Sequence, residues 1–177
     1  MFTLRLATLA DLPAIRELIP LSAEALSAGF YTPEQASSAI RYVFGPDTQL
    51  IADGTYFVAE AEGGIVACGG WSWRRTLYGG DQMKAADDPP LYPAREAARI
   101  RAFFVHPAWA RCGIASAIMK ACVDAASAAG FRRLALMSTL PGEPLYRAFG
   151  FVAGERVTDT LPDGVGVPFV PMERDIG

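Results

Sequence analysis

The sequence predicts a mixed α/β fold in a single domain that covers residues 1–177. Apolar runs of strand length alternate along the chain with longer segments in which apolar residues recur at helical spacing. The composition, with 51% hydrophobic and 20% charged residues, is typical of a globular protein rather than a disordered chain. No linker-like run or internal repeat interrupts this pattern. The predicted order is therefore strand, two helices, three strands, helix, strand, helix and two strands.

The N-terminal part begins with a strand that is followed by two helices. Thr8, with Asp11 three residues later, matches the capping-box pattern that starts a helix. Pro20 lies inside the apolar stripe of that helix, which it either kinks or ends. Pro33 suits the first position of the next helix, because its backbone angle is already helical. The expected elements are a strand at Thr3–Ala7, helical residues from Leu12 to Ser27 on both sides of Pro20, and a helix from Pro33 to about Val43.

A hairpin follows, with strands at Thr55–Ala61 and Ile65–Trp73 and a turn at Gly63-Gly64. Two more glycines, Gly69-Gly70, lie inside the second strand and indicate a bulge or a close approach to the backbone. Residues 74–97 then form a long connection that is rich in turn residues. Connections of this length are often functional or mobile.

The most informative stretch is predicted to be a strand, a tight loop and a long helix. The strand Ile100–Val105 stops at His106-Pro107, because proline removes a backbone donor and disfavours helix in the residue before it. The helix begins near Ile114 and ends at Gly130, where a glycine cap is expected. Such a junction leaves backbone N–H groups and partial positive charge free to bind an anion. The alternative is an ordinary strand–helix connection.

The C-terminal part continues with a strand, a short helix and a hairpin. Gly150-Phe151 ends the short helix. The expected elements are a strand at Phe131–Met137, a helix at Leu145–Phe149, and a final hairpin of Val152–Thr160 and Val165–Arg174 around Pro162-Asp163-Gly164.

Two motifs in this order resemble those of the GNAT superfamily of N-acetyltransferases. The loop motif Gln/Arg-x-x-Gly-x-Gly/Ala is met by Ala110–Ala115, although Ala110 itself departs from it. The second motif, Tyr-x-x-x-Gly-Phe, is met by Tyr146–Phe151. The loop motif alone has little specificity, but both motifs with a strand between them are specific. The element order also matches, so the resemblance covers essentially the whole chain and implies a mixed sheet with helices on both faces.

The resemblance implies that acetyl-CoA donates an acetyl group to an amine. In the family, the coenzyme pyrophosphate binds the backbone amides of the loop, and pantetheine binds the backbone of the preceding strand. Arg111 would add a positive charge suited to phosphate. The residues implied in coenzyme binding are Phe103, Phe104 and Val105 on the strand, and Arg111, Cys112, Gly113, Ile114, Ala115 and Ser116 on the loop and helix start.

Tyr146 occupies the position at which the family commonly places a general acid. A phenol, with a reference pKa of about 10, can protonate the departing thiolate and stay neutral at pH 7. The alternative is an aromatic side chain that only packs. No acid lies on the strand residues Leu134–Ser138, where some members carry a glutamate, so Glu96 is the candidate general base. Glu96 is otherwise a solvated loop acid, and a water chain without a dedicated base is a further alternative.

The acceptor is expected to enter between the first helices and the connection of residues 74–97. The side chains assigned to this entrance are Tyr31, Trp71, Trp73 and Tyr78. Aromatic walls with few acids favour a small molecule or an exposed peptide or protein amine with apolar bulk over a polyamine. Three acids of the connection would instead favour a polyamine, namely Asp81, Asp87 and Asp88. Trp71 and Trp73 have a second interpretation, as residues that pack in the core.

Composition disfavours several other function classes. The net charge of −3 argues against a general nucleic-acid binder. A single histidine and three cysteines at no metal-like spacing predict that there is no metal site. Neither a secretory signal nor an apolar run of about 20 residues is present, so we expect a cytoplasmic protein that does not enter a membrane. The final hairpin would suit the edge of a homodimer.

Two other functions are compatible with the sequence. The same fold would also serve as a catalytically idle acyl-CoA-binding sensor or interaction module, which Ala110 and the missing strand acid favour. A transferase that acts on hydroxyl groups or carries longer acyl chains is the other alternative.

Overall fold

The computed structural model describes residues 1–177 and contains eight strands and five α-helices. The predicted order is confirmed, with two short elements added. The strands are β1 (Thr3–Leu6), β2 (Tyr56–Ala61), β3 (Gly64–Ser72), β4 (Ala98–Val105), β5 (Arg133–Thr139), β6 (Val152–Ala153), β7 (Val157–Thr160) and β8 (Gly166–Asp175). The helices are α1 (Leu12–Ser27), α2 (Pro33–Tyr42), α3 (Thr48–Asp53), α4 (Ile114–Ala128) and α5 (Glu143–Ala148).

All eight strands lie in one mixed sheet, as the fold class predicts. The strand order is β1-β2-β3-β4-β5-β8-β6, and β7 also pairs with β8. Neighbouring strands are antiparallel except β4 and β5, which are parallel. A parallel pair needs a crossover connection, and α4 provides it.

Helices cover both faces of the sheet. On one face, Ile15 and Ile19 of α1 and Leu50 of α3 pack against Val58 of β2. On the other face, α4 packs against the adjacent β2 residue, Ala59, and its neighbours. Successive strand residues point to opposite faces, which explains why adjacent positions belong to different clusters. A third cluster joins α2 to β8.

Thr8 caps a 3₁₀ turn, Leu9–Asp11, that leads into α1, and Thr32 caps α2. The Thr8 N–H donates to the Asp11 carboxylate at 2.7 Å, and the Thr32 hydroxyl accepts from the Gln35 N–H at 3.1 Å. Pro20 does not end α1, which continues to Ser27. The sequence interpretation missed α3, whose N-cap is Asp47.

A bulge interrupts the pairing of β3 with β4. The register changes between Cys68 and Gly70 of β3, the region in which the paired glycines predicted an irregularity. The extra residue lies on β4, where Ala102 has a φ of 55°. A β-carbon at Gly69 would lie 2.8 Å from the Phe103 ring, so this glycine is needed for close packing on the bulged strand.

β4 and β5 separate soon after they pair. Their parallel register is limited to Ala98 with Leu134 and Arg99 with Ala135, although β5 pairs with β8 along its whole length. The C-terminal halves of β4 and β5 therefore diverge. This divergence opens the sheet and creates a cleft between the two strands.

Candidate active site

The cleft lies between the diverging halves of β4 and β5. It encloses about 150 Å³, and 16 of its 22 lining residues are hydrophobic. Its walls come from both sides of the sheet. The lining residues are Leu26, Val43, Phe44, Gly45, Leu77, Tyr78, Gly79, Gly80, Ile100, Arg101, Ala102, Phe103, Phe104, Val105, Ala115, Leu136, Met137, Thr139, Gly142, Leu145, Tyr146 and Phe169.

One end of the cleft reaches the N-terminus of α4. Ala115, in the first turn of α4, lines the same cleft as Phe103, Phe104 and Val105. The first α-helical hydrogen bond runs from the Ala117 N–H to the Gly113 carbonyl, so the preceding helix N–H groups have no partner within the helix. No side chain caps this terminus. The helix start is therefore able to bind an anion at the mouth of the cleft.

The loop before α4 is shaped by two left-handed residues. Gly113 has a φ of 80° and Arg111 a φ of 61°. A β-carbon at Gly113 would have no atom within 4 Å, so the space in front of it is open. Arg111, Cys112 and Ser116 are exposed, and Ile114 is buried beneath the helix start. The loop therefore presents its backbone and the Arg111 guanidinium to solvent.

Tyr146 lies in the cleft on α5. Its ring packs edge-on against Phe103 and Phe151, with centroid distances of 6.3 and 5.9 Å. Burial, reinforced by the nearby Cys122 thiol, raises the pKa of Tyr146 above its ordinary value. The phenol is thus held between two rings and kept protonated beside β4.

A buried charge cluster, which the sequence interpretation missed, forms the other end of the cleft. Arg101 is 3% exposed, and its guanidinium donates to Asp47 Oδ2 at 2.8 Å. It also donates to the carbonyl oxygens of Gly79 at 2.6 Å and Thr76 at 3.1 Å. Lys84 binds the other Asp47 oxygen. Arg101 therefore fixes the loop that carries Leu77 and Tyr78 into the lining. The sequence feature that could have indicated this cluster is Arg101 itself, a charged residue within an otherwise apolar strand.

Of the four residues assigned to the acceptor entrance, Tyr78 lines the cleft. Its ring packs on Phe169 at a centroid distance of 5.6 Å. Tyr31 is 7% exposed and lies outside the lining. Its hydroxyl donates to the Pro168 carbonyl at 2.7 Å and accepts from the Leu140 N–H at 3.0 Å, and burial raises its pKa to about 12. Tyr31 therefore ties together two segments behind the cleft.

Trp71 and Trp73 lie on the α4 side of the sheet and not in the cleft. Trp71 is 5% exposed and packs on Phe131 at a centroid distance of 6.2 Å. The Trp73 ring lies 5.7 Å from that of Trp71. Both tryptophans therefore pack in the core and do not line the acceptor entrance.

The structure does not bring Glu96 to the cleft. Its carboxylate accepts from the Tyr92 N–H at 2.7 Å and lies 3.6 Å from the Arg75 guanidinium. Glu96 precedes the N-terminal end of β4, whereas Tyr146 packs near the other end of that strand, about 20 Å away along an extended chain. Its position supports a turn-stabilising role and not contact with the reacting groups.

The residues described include no group of three or more His, Cys, Asp or Glu side chains placed to hold a metal ion. No helix has the length and apolar character needed to cross a membrane.

Comparison with known proteins identifies the same family as the two sequence motifs. Residues 52–153 match the acetyltransferase (GNAT) domain. No well-characterised protein sequence matches the chain at a significant level.

Solved structures of acetyltransferases share the fold over nearly the whole chain. A GCN5-related N-acetyltransferase from Rhodopseudomonas palustris is 19% identical, with a TM-score of 0.70, covering 98% of this chain and 94% of that one. A phosphinothricin acetyltransferase from Sinorhizobium meliloti, solved with acetyl-CoA, is 24% identical, with a TM-score of 0.63 and coverage of 99% and 89%. PaiA N-acetyltransferase from Thermoplasma acidophilum, solved with coenzyme A, is 13% identical, with a TM-score of 0.63 and coverage of 99% of both chains.

Proposed function

Because the chain belongs to the GNAT family of acetyltransferases, we propose that it transfers an acetyl group from acetyl-CoA to an amine. The acceptor is the amine of a small molecule or an exposed amine of a peptide or protein. The observation that carries this proposal is the cleft itself, which joins an uncapped helix N-terminus to a phenol through an opened sheet.

The residues present fit coenzyme A. The backbone of residues 111–116 would hold its pyrophosphate, because the open space at Gly113 admits phosphate to the unpaired N–H groups. Arg111 is exposed and free to approach the phosphates from outside. Phe103, Phe104 and Val105 line the cleft beside this terminus and would flank the pantetheine arm. The bound thioester supplies an activated acetyl group.

Tyr146 is proposed as the general acid. The reaction releases a thiolate, and a neutral phenol at the cleft wall donates the proton that this sulfur needs. The buried phenol keeps its proton at neutral pH, because its pKa lies above the ordinary value, so the proton is available to the sulfur. Its two aromatic neighbours hold the ring in place.

The proposal includes no carboxylate base. None of the lining residues is Asp, Glu or His, and Glu96 is held in its turn. Deprotonation of the acceptor is therefore assigned to solvent. This feature is also the observation that favours the second candidate function, a sensor that binds acyl-CoA without turnover.

One assay separates the two functions. Purified protein is incubated with acetyl-CoA and a panel of amines, and free thiol and acetylated product are measured together. The enzyme releases thiol only when an amine is present and forms one acetyl-amine for each thiol. A sensor binds acetyl-CoA, as a shift in melting temperature, but releases no thiol with any amine. Protein that does not bind acetyl-CoA contradicts both functions.

A further inference from the structure

The part of the cleft remote from α4 contains no anionic group that would receive a cation. The ionisable side chains of the lining are Arg101, Tyr78 and Tyr146. The first is already cationic, and the two phenols are neutral at pH 7. An alkylammonium ion that enters this space would lose its hydration and gain no counter-ion, which is costly in an apolar site.

The nearest buried carboxylate is occupied. Asp47 is fully buried, and one of its oxygens accepts from Arg101 at 2.8 Å. The other oxygen binds Lys84 and accepts from the Leu50 N–H, the latter at 3.3 Å. An incoming ammonium would meet the positive side of this pair. The cluster thus opposes a cation instead of attracting one.

The remaining walls suit a flat apolar body. Leu77, Tyr78, Phe44 and Phe169 come from three separate segments and converge on the cleft. The whole cleft, which the pantetheine arm would share, encloses about 150 Å³. A cavity of that size holds one aromatic ring, so the acceptor body is limited to a single ring or less.

From these walls and charges we infer that the acceptor is a neutral, weakly basic amine carried on an apolar body, of the arylamine class. This inference rests on the proposed function and specifies its acceptor. An amine that is already uncharged reaches the thioester without a base, which accounts for a cleft that has none.

The step balances without any further reactant. The acceptor nitrogen forms a bond to the acetyl carbon, and the bond between that carbon and sulfur breaks. The nitrogen passes one proton to solvent, Tyr146 gives one to the thiolate, and solvent returns one to Tyr146. The products are an N-acetylarylamine and the free thiol.

The test compares acceptors of nearly equal shape. p-Toluidine and benzylamine are isomers, but only benzylamine is cationic at pH 7, and p-cresol replaces the aryl nitrogen by oxygen. We expect kcat/KM for p-toluidine to exceed that for benzylamine by more than about 10-fold, because a desolvated site disfavours the charged form.

Equal or better use of benzylamine or of p-cresol overturns the inference, as does failure of all three with a protein that binds acetyl-CoA. Loss of acetyl-CoA binding would instead contradict the proposed function.

A matched pair of variants tests the cause. Leu77 is partly buried on the loop that lines the acceptor end. Leu77→Glu adds a carboxylate to this wall, and Leu77→Gln adds the same bulk without charge. We expect the Glu variant to shift the benzylamine to p-toluidine ratio at least about 10-fold towards benzylamine relative to Gln, since an opposite charge favours the ammonium form. Equal ratios in the two variants, both folded and binding acetyl-CoA, overturn the inference.

Discussion

The Tyr56 hydroxyl lies 3.3 Å from the carbonyl oxygen of Ala102, the residue at which β4 bulges. Tyr56 is fully buried on β2 and reaches this carbonyl across β3, with its hydroxyl also 3.2 Å from Cys68 Sγ. A left-handed alanine costs about 1 kcal/mol, so the bulge needs support from its surroundings. This hydrogen bond supplies part of that support at the point where the cleft opens.

Tyr56→Phe removes the hydroxyl and leaves the Ala102 carbonyl with only a weak thiol contact at 3.8 Å. We expect the free energy of unfolding to fall by about 1 kcal/mol, the usual net value of a buried hydrogen bond. Urea denaturation measures the change. Tyr42→Phe, at a tyrosine away from the bulge, is the control and should have little effect. Equal stability of the Tyr56 variant and the wild type would show that this hydrogen bond does not stabilise the bulge.

Arg101→Met should destabilise the protein by about 3 kcal/mol, because it leaves Asp47 buried without its main partner. Asp47→Asn added to this variant removes the carboxylate that has lost Arg101 and keeps an oxygen to cap α3. Lys84 then retains Asp81 as a partner, at 4.0 Å. The double variant should therefore be more stable than the single Arg101 variant. Denaturant unfolding of the wild type, both single variants and the double variant measures this coupling. Additive effects would show that the pair does not interact.

The sequence was sufficient to predict most of the fold. The strand–loop–helix around Gly113 and the motif at Tyr146 have local signatures, namely glycines, proline and apolar spacing, and the structure brings both to one cleft. Trp71 was ambiguous, because an aromatic residue on a strand fits a core and a pocket equally well. The strand Leu134–Ser138 carries no acid, so the sequence points to Glu96 ahead of β4. Only the structure shows that this carboxylate is held in a turn.

The features that sequence analysis missed depend on long-range contacts. Arg101 pairs with Asp47 across more than fifty positions of the chain, and no local pattern indicates such a pair. The bulge was expected from Gly69-Gly70, but its extra residue lies on the partner strand at Ala102, which carries no glycine. The identity of the lining likewise depends on how β4 and β5 separate.

Tyr146→Phe should lower kcat by about 100-fold or more, the usual contribution of a positioned general acid. The packing against Phe103 and Phe151 is retained by phenylalanine, so KM for acetyl-CoA should change little.

Because burial raises the pKa of Tyr146, the wild-type rate should show no loss from phenol ionisation below pH 10. Steady-state kinetics over pH measure both effects. An unchanged kcat in the variant would remove Tyr146 from the mechanism.

Acid stability should depend on Asp11. The Arg5 guanidinium, 2.8 Å away, lowers the pKa of Asp11 from 3.8 to about 2. A carboxyl whose pKa is lower in the folded state stabilises the protein above its unfolded pKa and loses that contribution as the pH falls. The free energy of unfolding of the wild type should therefore exceed that of Asp11→Asn by about 1 kcal/mol above pH 4. This value already allows for solvent screening around the partly exposed Arg5.

This stability difference should shrink between pH 4 and pH 2, where the wild-type carboxyl becomes protonated. Chemical denaturation of both proteins across this range measures it. Asp124→Asn, in an exposed pair with Lys120, is the control and should show almost no pH-dependent difference. A constant difference between wild type and the Asp11 variant at every pH would contradict the assignment.

The pyrophosphate site at the α4 N-terminus is tested by calorimetry of acetyl-CoA binding to wild type, Gly113→Asn and Gly113→Asp. Asn and Asp are similar in shape and both tolerate the left-handed conformation at this position. Only Asp places a negative charge in front of the α4 N-terminus. We predict that wild type and the Asn variant bind acetyl-CoA and that the Asp variant binds it at least about 10-fold more weakly, because like charges repel at short range. No binding by the wild type, or equal binding by Asn and Asp, would contradict a pyrophosphate site at this helix.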